Sequence, residues 1–150
     1  MKNIIVTGGA GFIGSNFIIK NINKYKIINI DTLTYASNKN YLKIVSKSKN
    51  YKFYKIDILD TKKIIDLIKK FKPIYIFNFA AESHVDNSIK NSDMFINTNI
   101  LGTHSLLKAV LHQKKNLIKN FKFIQISTDE VFGDVEKNYQ TKENDRYNPS

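Results

Sequence analysis

The sequence predicts an α/β domain, a doubly wound parallel sheet of five strands with helices on both faces. Three observations point there. Apolar runs of strand length alternate along the chain with longer stretches of helical periodicity. Glycines at 8, 11 and 14 stand between the first such run and the first helical stretch. Polar clusters recur just after the strand-like runs, at the ends where such sheets hold their ligand crevice.

Residues 3–7, with Ile4, Ile5 and Val6, read as the first strand. Gly8, Gly11 and Gly14 follow in G-x-x-G-x-x-G spacing. Glycines let a backbone bend sharply and let a pyrophosphate come close, and the helix behind them offers free N–H groups and a positive dipole end. A glycine trio alone is a weak signal, and its weight comes from lying between a strand and a helix. Beyond Gly11, Phe12, Ile13, Phe17, Ile18 and Ile22 fall largely on one side of a helix. Residues 26–30 form a second strand ending at Asp31. That carboxylate lies 23 residues after Gly8 and 17 after Gly14. An acid that accepts ribose hydroxyls is expected roughly 20 residues after such a turn. A negative charge there repels a 2′-phosphate and so favours NAD over NADP. The plainer reading of Asp31 is a solvated strand-end residue.

Residues 32–50 are polar and read as a loop with one short helix near 41–45. Residues 51–56 form the third strand. Asp57 and Ile58 follow it at the crevice end, where Asp57 could accept from an adenine amino group. Thr61 is positioned to cap a helix reaching about Phe71, with Ile64, Ile65, Leu67 and Ile68 as its apolar face. Pro73 ends it. Residues 74–79 are nearly all apolar, as expected of a central parallel strand. Ala80 and Ala81 then let a cofactor cross the sheet edge, and Glu82, Ser83, His84 and Asp86 supply polar groups to the crevice. A long helix over 92–113 carries Thr98, Asn99 and His104. Residues 121–126 form the fifth strand. It leads into Ser127, Thr128, Asp129 and Glu130, the densest polar cluster of the chain. Residues 135–150 read as polar loop, and no repeat or linker marks a second domain.

Composition narrows the function. The chain has 150 residues, one domain by length, and no cysteine, which excludes disulfides and thiolate metal sites and suits a cytoplasmic setting. No apolar run approaches the roughly 20 residues of a membrane span. The net charge of +11 invites a nucleic-acid reading. However, 23 Lys, 23 Ile and 18 Asn stand beside a single Arg, a bias that AT-rich codons produce without selection for a basic surface. The lysines are also scattered rather than gathered in one block, so no nucleic-acid partner is expected. Nor does any His or carboxylate spacing make a metal site. His84 is placed near a substrate, and His104 and His112 read as helix-packing or surface residues.

The stretch from Thr7 to Gly14 resembles the glycine motif of the extended short-chain dehydrogenase/reductases, the branch that modifies sugar nucleotides on a Rossmann-type domain. Within it, the run from Ala80 to Asp86 and the run Ser127-Thr128-Asp129-Glu130-Val131 resemble the dTDP-glucose 4,6-dehydratase family. The second is the more specific, because related epimerases and decarboxylases usually lack adjacent Asp and Glu after the Thr. The resemblance covers the whole chain but half or less of a typical member. It implies bound NAD, a dTDP-glucose substrate and a homodimer. It also implies oxidation at C4, loss of water across C5–C6 and return of hydride to C6. Asp129 would be the acid, Glu130 the base, and Thr128 a hydrogen-bond partner of the sugar near C4. Phe12, Ile13, Asp31, Thr32, Leu33, Thr34, Asp57, Ile58, Phe79, Ala80, Ala81, Glu82, Ser83 and Thr98 would line the NAD site, with Ser83 also touching substrate.

Two positions depart from that family: Asn87 where an Arg is usual, and Phe132 where a Tyr is usual. The family's Tyr-x-x-x-Lys pair, which begins the C4 oxidation from one face of a helix, is also missing. Tyr35 with Lys39 lies in a loop. Tyr51 with Lys55 lies on a strand, where residues four apart stand about 13 Å from one another. The run Arg146-Tyr147-Asn148-Pro149-Ser150 resembles the lead-in to the real motif. The expectation is therefore an amino-terminal piece of a longer enzyme. Residues 1–150 would form an NAD-binding domain incomplete at its carboxyl end, lacking later strands and a substrate domain. Alone it would bind NAD weakly, present an uncovered edge strand and complete no catalysis. Two alternatives remain open: a related epimerase or decarboxylase, and a non-catalytic NAD-binding remnant.

Overall fold

The computed structural model describes residues 1–149. Five strands form one parallel sheet: Lys2–Thr7 (β1), Tyr25–Asp31 (β2), Tyr51–Lys55 (β3), Tyr75–Asn78 (β4) and Lys122–Gln125 (β5). Their order is β3-β2-β1-β4-β5. The chain steps outward from β1 to β3, then crosses back to β4. A reversal of this kind, here between β1 and β4, opens a crevice at the strands' carboxyl ends.

Side chains of a strand alternate between faces, and here both faces are covered. Ile5, Ile28, Ile30 and Ile76 pack beneath helices Thr61–Phe71 (α2) and Thr103–His112 (α5), where Ile64, Ile68, Leu106 and Ala109 meet them. Ile4, Val6 and Ile27 pack on the other face against Ile18 and Ile22 of helix Phe12–Asn21 (α1) and its end, joined by Leu42 and Val45. The fully apolar reading of the central strands follows from this double burial. Asn29 is the polar exception: it is buried, and its Nδ2 donates to the Tyr51 hydroxyl at 2.9 Å.

Local details correct the sequence reading in three places. The short helix near 41–45 is a 3-10 turn at Lys39–Leu42, which swings Leu42 under α1. The cap of α2 is Asp60, whose Oδ1 accepts from the Lys63 amide at 3.1 Å, one residue before the expected Thr61. Thr61 is already helical, and its hydroxyl instead meets Ser105 Oγ at 2.6 Å. The long helix is not uniform. Helices Val85–Lys90 (α3) and Ser92–Phe95 (α4) lead into a π-helical stretch, Ile96–Gly102, which runs directly into α5. Among the described residues no helix is long and apolar enough to cross a membrane.

Candidate functional site

The turn after β1 is built around Gly8. Its φ is +66°, and a β-carbon there would stand 2.5 Å from the Ala80 amide nitrogen. Gly11 forms the amino-terminal boundary of α1 without any side-chain cap, and the first turn of that helix has no acid. Its leading N–H groups therefore find no acceptor within the helix, which is the arrangement that receives an anion.

A cavity of about 250 Å³ opens beside this turn. Gly8, Gly11, Asp31, Thr32 and Thr34, all singled out in the sequence, line it from the β1 and β2 ends. Asp57 and Ile58 line it from the β3 end, and Phe79, Ala80, Ala81, Glu82 and Thr98 from beyond β4. Five other predicted residues lie outside this lining. Gly14 is buried beneath the turn. Phe12 and Ile13, 71% and 62% exposed, sit in the first turn of α1, where their N–H groups rather than their side chains are what a ligand could use. Leu33 has a left-handed backbone (φ 63°) and Ser83 is exposed, and neither contributes to the lining. Conversely, Ile30, Ile56, Ala36, Ser37 and Met94 line the cavity without having been singled out. Ile30 and Ile56 could have been found, since they immediately precede the two strand-end acids.

Asp31 is the most constrained polar group here. It is buried, and Oδ2 accepts from the Ala10 amide at 2.9 Å. Oδ1 accepts from the Leu33 amide at 2.7 Å and from Ser37 Oγ at 2.9 Å. A carboxylate offers about four acceptor positions, so one remains, on Oδ2. Asp57 is exposed, with Oδ1 taking the Leu59 amide at 2.8 Å.

The π-helical stretch presents Thr98 to the cavity and turns Asn99 onto the strand exit. Asn99 Oδ1 accepts from the Glu82 amide and Nδ2 donates to the Glu82 carbonyl, both at 2.8 Å. Glu82 is 7% exposed, and its Oε2 accepts from the Tyr35 hydroxyl at 2.9 Å. That hydroxyl in turn accepts from Asn87 Nδ2 at 3.2 Å. The departure at position 87 thus has a local partner.

Thr128, Asp129 and Glu130 follow β5 on the same edge of the sheet, exposed and outside the cavity. Thr128 Oγ1 accepts from the Glu130 amide at 3.2 Å and so caps a 3-10 turn over Asp129–Phe132. The two carboxylates are consecutive and exposed in that turn. Phe132 packs edge-on against Tyr147 at 5.6 Å, and the Asn148 amide donates to the Val131 carbonyl at 2.9 Å. No helical Tyr-x-x-x-Lys pair exists among the described residues. Tyr51 and Lys55 are the two ends of β3, and Tyr35 is engaged by Glu82. No cluster of three potential metal ligands occurs among the described residues.

A family model for GDP-mannose 4,6 dehydratase matches residues 5–150. The chain belongs to that family. Similar members include a probable dTDP-glucose 4,6-dehydratase of Sinorhizobium fredii, 42% identical over 98% of this chain and 43% of its own length. The dTDP-glucose 4,6-dehydratase of Haemophilus influenzae is 45% identical over 90% of this chain and 42% of its own. Among solved structures, that of Bacillus anthracis dTDP-glucose 4,6-dehydratase in complex with NAD superposes with a TM-score of 0.82. It is 40% identical and covers all of this chain and 45% of the other. A UDP-glucose 4-epimerase of Thermotoga maritima reaches 0.81 at 33% identity, covering 99% of this chain and 45% of its own. The dehydratase-type resemblance therefore extends along the chain, which spans less than half the length of these relatives.

Proposed function

We propose that this chain is the cofactor-binding half of an NAD-dependent dTDP-glucose 4,6-dehydratase. The observation that carries the reading is the pairing of two structures on one sheet edge. One is a cavity between the glycine turn and Asp31; the other, beyond β4 on β5, is a turn bearing Thr128, Asp129 and Glu130. The fold is shared with epimerases, and the adjacent acid pair is what favours a dehydratase.

The residues suit the cofactor. Gly8 removes the side chain that would block a pyrophosphate, α1 offers uncapped N–H groups, and Asp31 retains one acceptor position for a ribose hydroxyl. Ala80 and Ala81 leave room over the β4 exit. NAD, when bound, supplies the hydride acceptor and later the donor. The chain's own residues do the proton work. Once C4 is a ketone, the C5 proton is acidic and Glu130 removes it as a carboxylate. Asp129, as the neutral acid, protonates the departing C6 hydroxyl so that it leaves as water. Thr128 holds the sugar oxygen near C4. Opposite protonation of two neighbouring carboxyl groups is the condition for this division of labour. The base that starts C4 oxidation would come from outside residues 1–150.

The reading includes a homodimer and a cytoplasmic setting. Ile96, Ile100, Leu107 and Leu111 stand 42–69% exposed along the π stretch and α5, an apolar row suited to a second copy. The cysteine-free composition suits a reducing compartment.

The test is a titration of the chain with NAD and NADP, followed by a turnover assay with dTDP-glucose. Measurable NAD binding, preferred over NADP, and no turnover by this chain alone are the expected results. Absence of NAD binding sinks the cofactor assignment, and turnover by the isolated chain sinks the assignment of a half-enzyme.

A further inference from the structure

We propose that the hydrogen bond from Tyr35 to Glu82 is a gate across the cofactor crevice, with Tyr35 as its moving part. The inference rests on the NAD reading above. In the sheet order, β2 and β4 flank β1 on either side. Tyr35 lies on the loop after β2 and Glu82 on the segment after β4. A bond between them therefore spans the glycine turn that follows β1 and joins the two rims of the cavity. Thr34 and Ala36 line one rim, Ala81 and Glu82 the other.

The cavity is open to solvent along one side, and its volume of about 250 Å³ falls below the roughly 300–1,000 Å³ of ordinary small-molecule pockets, whereas a dinucleotide is a large ligand. Parting of the two rims would widen the crevice for it. The two sides of the bond are unequally held. Glu82 is fixed by its backbone: its amide donates to Asn99 Oδ1 and its carbonyl accepts from Asn99 Nδ2, both at 2.8 Å. Tyr35 is 59% exposed, on a short loop that is closed by the Ser37 amide donating to the Thr34 carbonyl at 3.0 Å and held to the rest of the chain near its ends. Leu33 N and Ser37 Oγ both donate to Asp31, and Asn38 N donates to the Ala10 carbonyl at 2.9 Å. The arm between those ties carries Tyr35, so it is the arm that opens. Asn87 steadies the closed form by donating to the same hydroxyl.

A gate leaves a kinetic signature that a cofactor contact does not. Because the bond joins the protein to itself rather than to cofactor, weakening it should speed entry and exit alike. Tyr35→Phe removes the hydroxyl. NADH association and dissociation, followed by stopped-flow fluorescence, should both accelerate by about tenfold, the scale of one hydrogen bond to a charged group. The equilibrium Kd should stay within about twofold. Asn87→Ala should move both rates the same way by less. In the cofactor-free chain, hydrogen exchange at the Ser37 amide, which donates to the Thr34 carbonyl at 3.0 Å within the arm, should quicken in Tyr35→Phe, with thermal unfolding lowered by no more than the few degrees that one lost hydrogen bond implies. Unaltered rates, or a faster exit alone with a weaker Kd, would overturn the gate. Unaltered exchange in the cofactor-free chain would overturn it without reference to NAD. Failure of the unsubstituted chain to bind NADH would instead remove the functional reading, and the gate with it.

Discussion

Gly8 and Ala80 touch backbone to backbone: a β-carbon at position 8 would lie 2.5 Å from the Ala80 nitrogen and 2.6 Å from its Cα. The phosphate turn and the strand exit opposite are thus one packed unit. Gly8→Ala has to force them apart and also hold alanine at a φ of +66°. Overpacking and the left-handed backbone together should cost about 2–4 kcal/mol. Thermal unfolding should fall by about 5–15 °C on that cost. NAD binding should be lost in the same variant. A melting point within a degree of the unsubstituted chain would show that the contact can relax.

Asp31→Asn tests the fourth acceptor position. Nδ2 of an asparagine there would face the Ala10 N–H, donor against donor, while the oxygen kept the Leu33 and Ser37 bonds. NAD affinity should drop by about tenfold or more, as for loss of a charge-assisted hydrogen bond. The preference for NAD over NADP should narrow, because the repelling charge is gone. Parallel titrations with the two cofactors would read both effects, and an unchanged preference would place the 2′ position away from Asp31.

Gly102 offers a compensating pair. A β-carbon there would collide with the end of the Ile58 side chain, which lines the cavity. Gly102→Ala should therefore push Ile58 into the crevice, lower stability by about 1–3 kcal/mol and weaken NAD binding. Ile58→Val removes Cδ1, the nearer of the two Ile58 atoms the β-carbon would meet, and should restore part of both in the double variant. Additive losses in a double-mutant cycle would show that the two residues do not press on one another.

Tyr51 gives the pH dependence a sign. Burial, first, pushes its phenol above the ordinary value; the Asn29 hydrogen bond pulls the other way, and the Asp31 charge adds to the rise. A group protonated more firmly when folded stabilises the fold fully below its unfolded pKa of about 10 and loses that contribution as pH climbs through the raised value. Denaturant midpoints measured from pH 8 to 11 should fall above pH 10. The fall should be shallower in Tyr51→Phe, although that variant starts lower because Asn29 loses its partner. Equal slopes would rule Tyr51 out as a source of the alkaline loss.

The sheet and the glycine turn were legible because their signals are local. β-branched runs, glycine spacing and the distance from Gly8 to Asp31 all lie within about thirty residues. The two-faced core followed from alternation, whereas the order of the strands came only with the structure. What stayed hidden is long-range or angular. Tyr35 meets Glu82 across 47 residues and Asn99 meets it across 17, with no local pattern announcing either. Tyr35 drew notice only as half of a Tyr-x-x-x-Lys match that the loop disqualified. Phe12 and Ile13 were read as lining residues, yet a first helical turn presents its N–H groups and sends such side chains outward. The π stretch leaves only one mark in the sequence, a glycine at 102 within an otherwise ordinary helical run.

That stretch sets an angular phase. Upstream of Gly102, Thr98 faces the cavity and Asn99 grips Glu82; downstream, Ser105, Leu106 and Ala109 are buried. An α-helix advances about 100° per residue. Removing a single residue between Ile96 and Gly102 would rotate one set against the other by about that angle. The length of this segment therefore works as a dial: it decides whether the crevice face and the core face of one rod can both be satisfied at once.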